Sequence, residues 1–465
     1  MRSGLVKMDP TQAEEDPVDT HQALRGWGGT SPSVALVHPA GGDSDLVRLV
    51  TGSGPRGVLA RGLGRSYGDA AQNGGGVVAD MTARNRVLSV DTSTGLVEVE
   101  SGVSLDALMR LLLPLGLFVP VSPGTRQVTV GGAIAADIHG KNHHVDGSFG
   151  DHVASMDLLR ADGTIRRLTA QDELFWATVG GMGLTGVVLR ATVQMKRVES
   201  AYCVVDTDRC RNLDELMERM SADDHRYTYS VAWIDCLASG ASLGRSVLTR
   251  GWPAALEQLP RRLRRRPLDF RPPERLVAPA GLPNGMLNHL TVAAFNNAWF
   301  HKAPRERRGE IQSIGAFFHP LDGVRQWNRI YGSRGFLQYQ FVVPFGAEDA
   351  LRRCLVMLSE AGLASFLAVL KRFGDGNRGH LSFPIPGWTL TLDLPVGSAA
   401  LGGLLDRLDE QVVGAGGRLY LAKDSRMTAA TMRQMYPRLE QWLEVRRAAD
   451  PTGVFTSDLA RRLEL

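Results

Sequence analysis

Between Ala60 and Gly186, three glycine-rich stretches have the residue types and spacing to hold an anionic group. The first, Arg61-Gly62-Leu63-Gly64-Arg65-Ser66-Tyr67-Gly68-Asp69, directly follows an apolar strand. Its small residues let backbone N–H groups approach an anion, and Arg65 and Ser66 add charge and a hydroxyl. Alone, a Gly-x-Gly after a strand is equally a tight turn, and neither its spacing nor its sequel is that of a Rossmann fingerprint. The second stretch runs from Pro123-Gly124-Thr125 through Thr129-Val130-Gly131-Gly132 to Ala136-Asp137-Ile138-His139-Gly140-Lys141. The third is Gly180-Gly181-Met182-Gly183-Leu184-Thr185-Gly186. None is a P-loop, and three together point to one large phosphate-bearing cofactor spread over several turns. His139, His143 and His144 lack the convergent carboxylate or imidazole that metal ligation needs, so no metal is expected. Further on, alternation over residues 336–344 puts Gln338 and Gln340 on one strand face. Lys371 and Phe373 alternate in the same way, as do Thr389 and Thr391. Inward amides are costly unless partnered, so this face is either solvated or built for a polar ligand.

The elements that must position these residues read as an α+β chain. From Val34 to Gly186, short apolar runs alternate with turn residues and one helical segment, Leu105-Asp106-Ala107-Leu108-Met109-Arg110 onward. After about Ser200 the strands lengthen, with helices near 347–361 and 399–413, which predicts an antiparallel sheet with helices on one face. Residues 1 to about 30 read as a loose polar arm, and 261–285, rich in Pro and Arg, as a mobile loop. Beyond Gly417 the pattern is helical again.

Composition narrows the classes. The 465 residues are 43% hydrophobic with a net charge of +4, too mild a balance to demand a nucleic-acid partner. The longest apolar run, Leu111 to Val121, is broken by Pro114 and Gly116, so no membrane-spanning helix is expected. The N-terminal residues have no apolar core of a signal peptide. Four cysteines without a Cys-x-x-Cys pair argue for a reducing compartment and against structural zinc.

The order RGLGRSYGD, PGTRQVTVGGAIAADIHGKNHH, GGMGLTG resembles the FAD domain of the vanillyl-alcohol-oxidase, or PCMH-type, flavoprotein superfamily. The finer match, through LQYQF, SFPIPGW, GGRLYLAKDSR and SDLARRLEL, is similar to the actinobacterial decaprenylphosphoryl-β-D-ribose 2′-oxidases. The resemblance implies a two-domain fold: an FAD domain over 1–199, completed by 417–465, and an antiparallel-sheet substrate domain over 200–416. It places Arg61, Gly62, Leu63, Gly64, Arg65, Ser66, Tyr67, Gly68 and Asp69 on the pyrophosphate. It also places Gly124, Thr129, Val130, Gly131, Gly132, Ala136, Asp137, Ile138, His139, Val188 and Tyr420 along the cofactor.

The same likeness makes Lys423, Tyr67 and His139 the catalytic set, with Lys423 either stabilising charge on the reduced flavin or taking the substrate's hydroxyl proton. It assigns Lys141, Trp233, Gln338, Gln340, Lys371, Phe373, Thr389 and Thr391 to the substrate. Several relatives tether FAD through a histidine where this chain has Arg65, so non-covalent FAD is expected. The implied reaction is oxidation of the ribose 2′-hydroxyl of a polyprenyl-phosphoryl sugar, with a separate NADH-dependent short-chain reductase completing an epimerisation toward cell-wall arabinan. The basic run at 261–285 would rest on a membrane surface. Family members are placed in the cell envelope, whereas the absence of a leader argues for a cytoplasmic or membrane-peripheral protein. The alternatives are an alditol or aldonolactone oxidase and a non-catalytic basic adaptor. The chain departs from mycobacterial members at Thr389 and Thr391, where those have asparagine and cysteine.

Overall fold

The computed structural model describes residues 19–272, 276–279, 281–363 and 365–465. Its first part holds two sheets. A four-stranded one orders Thr20–Leu24, Ser33–Pro39, Val77–Asp80 and Val58–Arg61, the last three parallel. A five-stranded antiparallel one orders Val87–Asp91, Leu96–Glu100, Val187–Gln194, Val153–Leu159 and Ile165–Leu168. The expected loose arm is corrected from residue 20 onward. Thr20–Leu24 pairs in full register with 33–37, and the N–H groups of Trp27 and Gly28 bond the carbonyls of Ser66 and Tyr67. Residues 1–18 lie outside the described residues.

The helix Leu105–Leu112 buries Leu105, Leu108, Met109 and Leu112, the 3.6-residue stripe its sequence promises, and Ser104 caps it by accepting from Ala107 N. It shares a core with Val97, Val99, Ile134, Met156 and Val193. The short helix Val130–Ala135 is capped by Thr129, whose hydroxyl accepts from Gly132 N at 3.2 Å.

The second part is one eight-stranded antiparallel sheet. Its order is Glu306–Ser313, Tyr202–Cys210, Ser246–Pro253, Tyr229–Ile234, Ala368–Phe373, Gly387–Pro395, Phe336–Pro344 and Arg418–Leu419. Helices Leu213–Asp223, Glu348–Ala361 and Ala400–Gly414 pack their leucines on one face, against Tyr339, Phe341, Leu370, Leu390 and Leu392. Because side chains alternate along a strand, the intervening positions Trp233, Gln338, Gln340, Lys371 and Thr391 face the other way, into a cavity. A sheet with this much polarity on its inner face needs something polar to sit there.

The segment 261–285 is not wholly irregular. It opens with a helical turn, Arg261–Arg264, and Leu276–Val277 pairs in parallel with Val324–Arg325. After Leu419 the helices Ala429–Met435, Leu439–Ala449 and Asp458–Leu463 return the chain to the first part, where Val58 N bonds Val454 O. Among the described residues no helix is long and apolar enough to cross a membrane.

Candidate active site

A cavity of about 810 Å³ runs between the first two sheets and the inner face of the eight-stranded sheet. One end is walled by the glycine loops. Gly62 packs so closely on the Thr129 hydroxyl that a methyl group there would lie 2.2 Å from it, which fixes the first loop against the start of the second. Arg61 braces that loop by donating to Ala71 O at 2.5 Å and Arg25 O at 3.0 Å. Arg65 lies over the Trp27 ring at 4.2 Å and donates to Leu63 O.

Of the cofactor positions expected from sequence, Arg61 through Tyr67, Gly124, Thr129, Gly131, Gly132, Ala136, Ile138, His139, Val188 and Tyr420 line the cavity. The rest stand one layer behind. Val130 is core, and Gly68 abuts Asp424 O, where a methyl would lie at 2.0 Å. Asp69 forms a two-point pair with Arg462, at 2.8 Å on both oxygens. Buried Asp137 accepts from Gly150 N, Asn377 and Ser382, and so pins the turn that aims His139. Burial pushes the Asp137 carboxyl up to about 6.

Lys141, Trp233, Gln338, Gln340, Lys371 and Thr391 line the far wall. Phe373 and Thr389 support it: Phe373 packs on His139 with centroids 4.8 Å apart, and Thr389 accepts from Gln340 Nε2 at 3.2 Å. The three histidines have separate duties. His143 accepts from Gly374 N and His144 donates to Tyr227 O, while His139 joins the cavity wall. Among the described residues no three His, Cys, Asp or Glu side chains group as a metal site.

Two polar clusters meet at the cavity. In one, Lys423 Nζ sits 3.9 Å above the Tyr67 ring, and Asp393 accepts from Gln338 Nε2 at 2.5 Å and from the Tyr331 hydroxyl at 3.3 Å. In the other, Gln340 Nε2 donates to His139 Nε2 at 2.9 Å, and His139 Nδ1 lies 3.2 Å from Lys371 Nζ. Burial, together with the charges of Lys371 and Lys423, holds the His139 imidazole well below its ordinary value, so the ring is neutral at neutral pH. A neutral imidazole carries one proton. With Nε2 accepting, that proton is on Nδ1 and faces Lys371, so a charged Lys371 opposes this contact and a neutral amine favours it. Burial, aided by Lys423 and Lys141, pushes Lys371 down to about 7, which makes that amine accessible.

Burial likewise lowers Lys423 to about 7 against the opposing pull of Asp393, whose own carboxyl burial raises to about 7. A lysine whose charged form is disfavoured by burial and favoured by a nearby carboxylate can act as acid or base near neutrality. Lys141 differs: it donates to Phe317 O and lies 4.3 Å over the Phe317 ring, and burial lowers it to about 8. Burial keeps the Tyr67 phenol protonated.

Asp393 is the functional position that motif reading passed over. It ends the run Thr389, Thr391, Asp393 on one strand face, and that i, i+2, i+4 spacing was its signal. Arg462 is a second. It spans Asp69 of the first loop and Asp424 beside Lys423, at 2.9 Å, while Tyr67 N bonds Ala422 O at 3.0 Å. This clamp sets Lys423 on Tyr67.

The donor set suits a long anionic cofactor with a planar end: Arg61, Arg65, Ser66, Thr129 and loop N–H groups at one side, and Ile138, Met182 and Val188 along the other wall. Sequence comparison agrees. A model described as "FAD binding domain" matches residues 44–169, and one described as "D-arabinono-1,4-lactone oxidase" matches 405–463. Decaprenylphosphoryl-beta-D-ribose oxidase of Mycolicibacterium smegmatis is 52% identical over 453 residues, 96% of this chain and 98% of the relative. An uncharacterized protein of Streptomyces coelicolor is 44% identical over 372 residues, 78% of this chain and 100% of the relative. L-gulono-1,4-lactone dehydrogenase of Mycobacterium tuberculosis is 25% identical over 437 residues, 92% of this chain and 95% of the relative. The cofactor is FAD, the fold is the PCMH type, and the chain belongs to the decaprenylphosphoryl-β-D-ribose oxidase family of FAD-dependent oxidoreductases.

Proposed function

We propose that this protein oxidises the 2′-hydroxyl of decaprenylphosphoryl-β-D-ribose to the 2′-keto sugar, the first half of an epimerisation that yields the arabinose donor for arabinan. The likeness to the Mycolicibacterium smegmatis oxidase supports this reading. The observation that carries it is the position of Lys423, on Tyr67 and in the field of Asp393, where the glycine-loop wall meets the polar face of the large sheet.

FAD, when bound, supplies the two-electron acceptor for the C2′ hydride. The glycine loops and Arg61, Arg65, Ser66 and Thr129 hold its phosphates, without a covalent link because Arg65 offers no nucleophile. Gln338, Gln340, Lys371 and Thr391 orient the ribose, with Lys141 and Trp233 beside them. Lys423 in its neutral form takes the proton of the 2′-hydroxyl, and Tyr67 and Asp393 hold the amine in place. Neutral His139, fixed between Gln340 and Lys371, adds no competing charge. In this reading residues 1–199 and 417–465 bind FAD, and 200–416 bind the substrate. A separate NADH-dependent reductase finishes the epimerisation.

The test is anaerobic mixing of the holoenzyme with a water-soluble, short-chain prenylphosphoryl ribose. Loss of the oxidised flavin absorbance with this compound, and none with free pentitols, is the expected result. Bleaching by pentitols alone would replace the reading with an alditol oxidase.

A further inference from the structure

Six of the exposed large apolar side chains fall within one stretch: Leu276, Val277, Met286, Leu290, Phe295 and Trp299. Leu290 is 79% and Leu276 64% exposed. Soluble surfaces scatter such residues singly, and a cluster marks a surface that something else covers. Two elements carry most of them. Leu290, Phe295 and Trp299 lie on the helix His289–Lys302, which buries only Val292, Asn296 and Phe300. Leu276 and Val277 form the short strand that pairs with Val324 and Arg325.

The helix reaches the cavity, and the strand pairs with residues that do. Trp299 is half-exposed and also lines it, stacking on Phe295 with centroids 6.0 Å apart and an interplanar angle of 16°. Val324 and Arg325, the partners of Leu276 and Val277, line it too. The exposed apolar groups therefore flank the place where the cavity meets the surface. Charge follows the same pattern: from Leu276 through Arg305 the sequence has no Asp or Glu, while Lys302 lies 6.0 Å from the Trp299 ring. Aromatic and aliphatic groups beside cations, without carboxylates, match an anionic lipid interface, where rings sit at headgroup depth and lysines reach outward.

We infer that the helix His289–Lys302 and the strand Leu276–Val277 form a docking face for an anionic lipid surface, on which the cavity opens directly. The face presents the site to a sugar that stays anchored in the bilayer by its tail. This part rests on the substrate reading above; the docking itself does not.

Holoenzyme is sedimented with phosphatidylcholine vesicles, with and without phosphatidylglycerol, in the absence of substrate. Binding to the anionic vesicles is expected, and at least about tenfold weaker binding for Leu290→Asp/Phe295→Asp, the scale for removing two inserting side chains. Leu290→Asp alone, at a side chain in open solvent, gives a smaller loss in the same direction without risk to the fold. Retained flavin absorbance, and unchanged bleaching by the soluble short-chain substrate, are expected of both variants. Equal vesicle binding by wild type and double variant, or no binding by either, overturns the proposal. So does conversion of a dimer to a monomer by the double variant, which would make the face a contact between two copies. If vesicles bind as expected but prenylphosphoryl ribose fails to bleach the flavin, the substrate reading falls and the docking face stands.

Discussion

Replacing Lys423 by methionine keeps a long side chain over the Tyr67 ring and removes the amine. Because Lys423 lies at the wall rather than among the phosphate-holding loops, the variant retains FAD. What it loses is the acceptor for the hydroxyl proton. General-base catalysis by a positioned side chain contributes roughly 10²–10⁴-fold, so flavin bleaching slows at least about 100-fold, equivalent to about 2.7 kcal/mol of barrier. The pH profile carries the mechanistic information. With Lys423 lowered to about 7 by burial, the wild-type reductive rate rises with pH through about 7 as the neutral amine forms, and then levels. In Lys423→Met that rise disappears. The assay is single-turnover bleaching under anaerobic conditions from pH 5.5 to 9, a range bracketing the lowered value. A wild-type rate that falls as pH rises through 7 would mean that the charged ammonium is the active form, and proton abstraction by Lys423 would be wrong. A near-normal rate in the variant would remove Lys423 from the chemistry altogether.

Arg462→Leu, which cuts the link between Asp69 and Asp424, costs about 2–3 kcal/mol of stability and weakens FAD retention at least about tenfold; thermal melting and flavin titration measure both. For Lys371, burial lowers the folded-state value to about 7, whereas an unfolded lysine titrates at 10.5. Its burial therefore costs stability in full below about pH 7, and the cost is relieved as pH rises toward 10.5, because the unfolded chain binds the extra proton across that window. Lys371→Met accordingly raises the melting temperature of FAD-stripped protein at pH 7, with a gain that shrinks by pH 10; an equal gain at both values would refute the assignment. Acid precipitation of the holoenzyme releases all flavin as intact FAD, and colour left in the pellet would show a covalent link that Arg65 cannot make.

Much of the site was legible because glycine loops and strand alternation are local signals. The polar positions Gln338, Gln340, Lys371 and Thr391 share an inner face as their period of two requires, and Arg61 through Tyr67 meet the cavity as their small, basic composition suggests. What escaped was non-local. Nothing near Asp69 announces Arg462, and nothing in Asp137 distinguishes a ligand contact from a buried carboxylate that bonds Gly150, Asn377 and Ser382. Thr389 misleads for a related reason: it keeps the alternation of Thr391, yet Gln340 lies between it and the cavity. In the fold, the strand Thr20–Leu24 was hidden by its exposure, since an edge strand in water carries no apolar pattern to read.

The clamp between Asp69 and Arg462 joins residues 393 positions apart. Closing so long a loop adds little to the equilibrium cost, which grows only with the logarithm of its length, but it sets an order of events. During synthesis the glycine loops emerge long before the segment that carries Lys423 and Arg462, and the entire eight-stranded sheet must be threaded between them. Until that last segment docks, Tyr420, Ala422 and Lys423 are missing from the cavity wall and Asp69 of the first loop lacks its Arg462 clamp. Cofactor capture thus reports completion of the chain: a nascent or truncated protein ending before Lys423 stays colourless however well its glycine loops fold, and a yellow one has its most distant parts in contact.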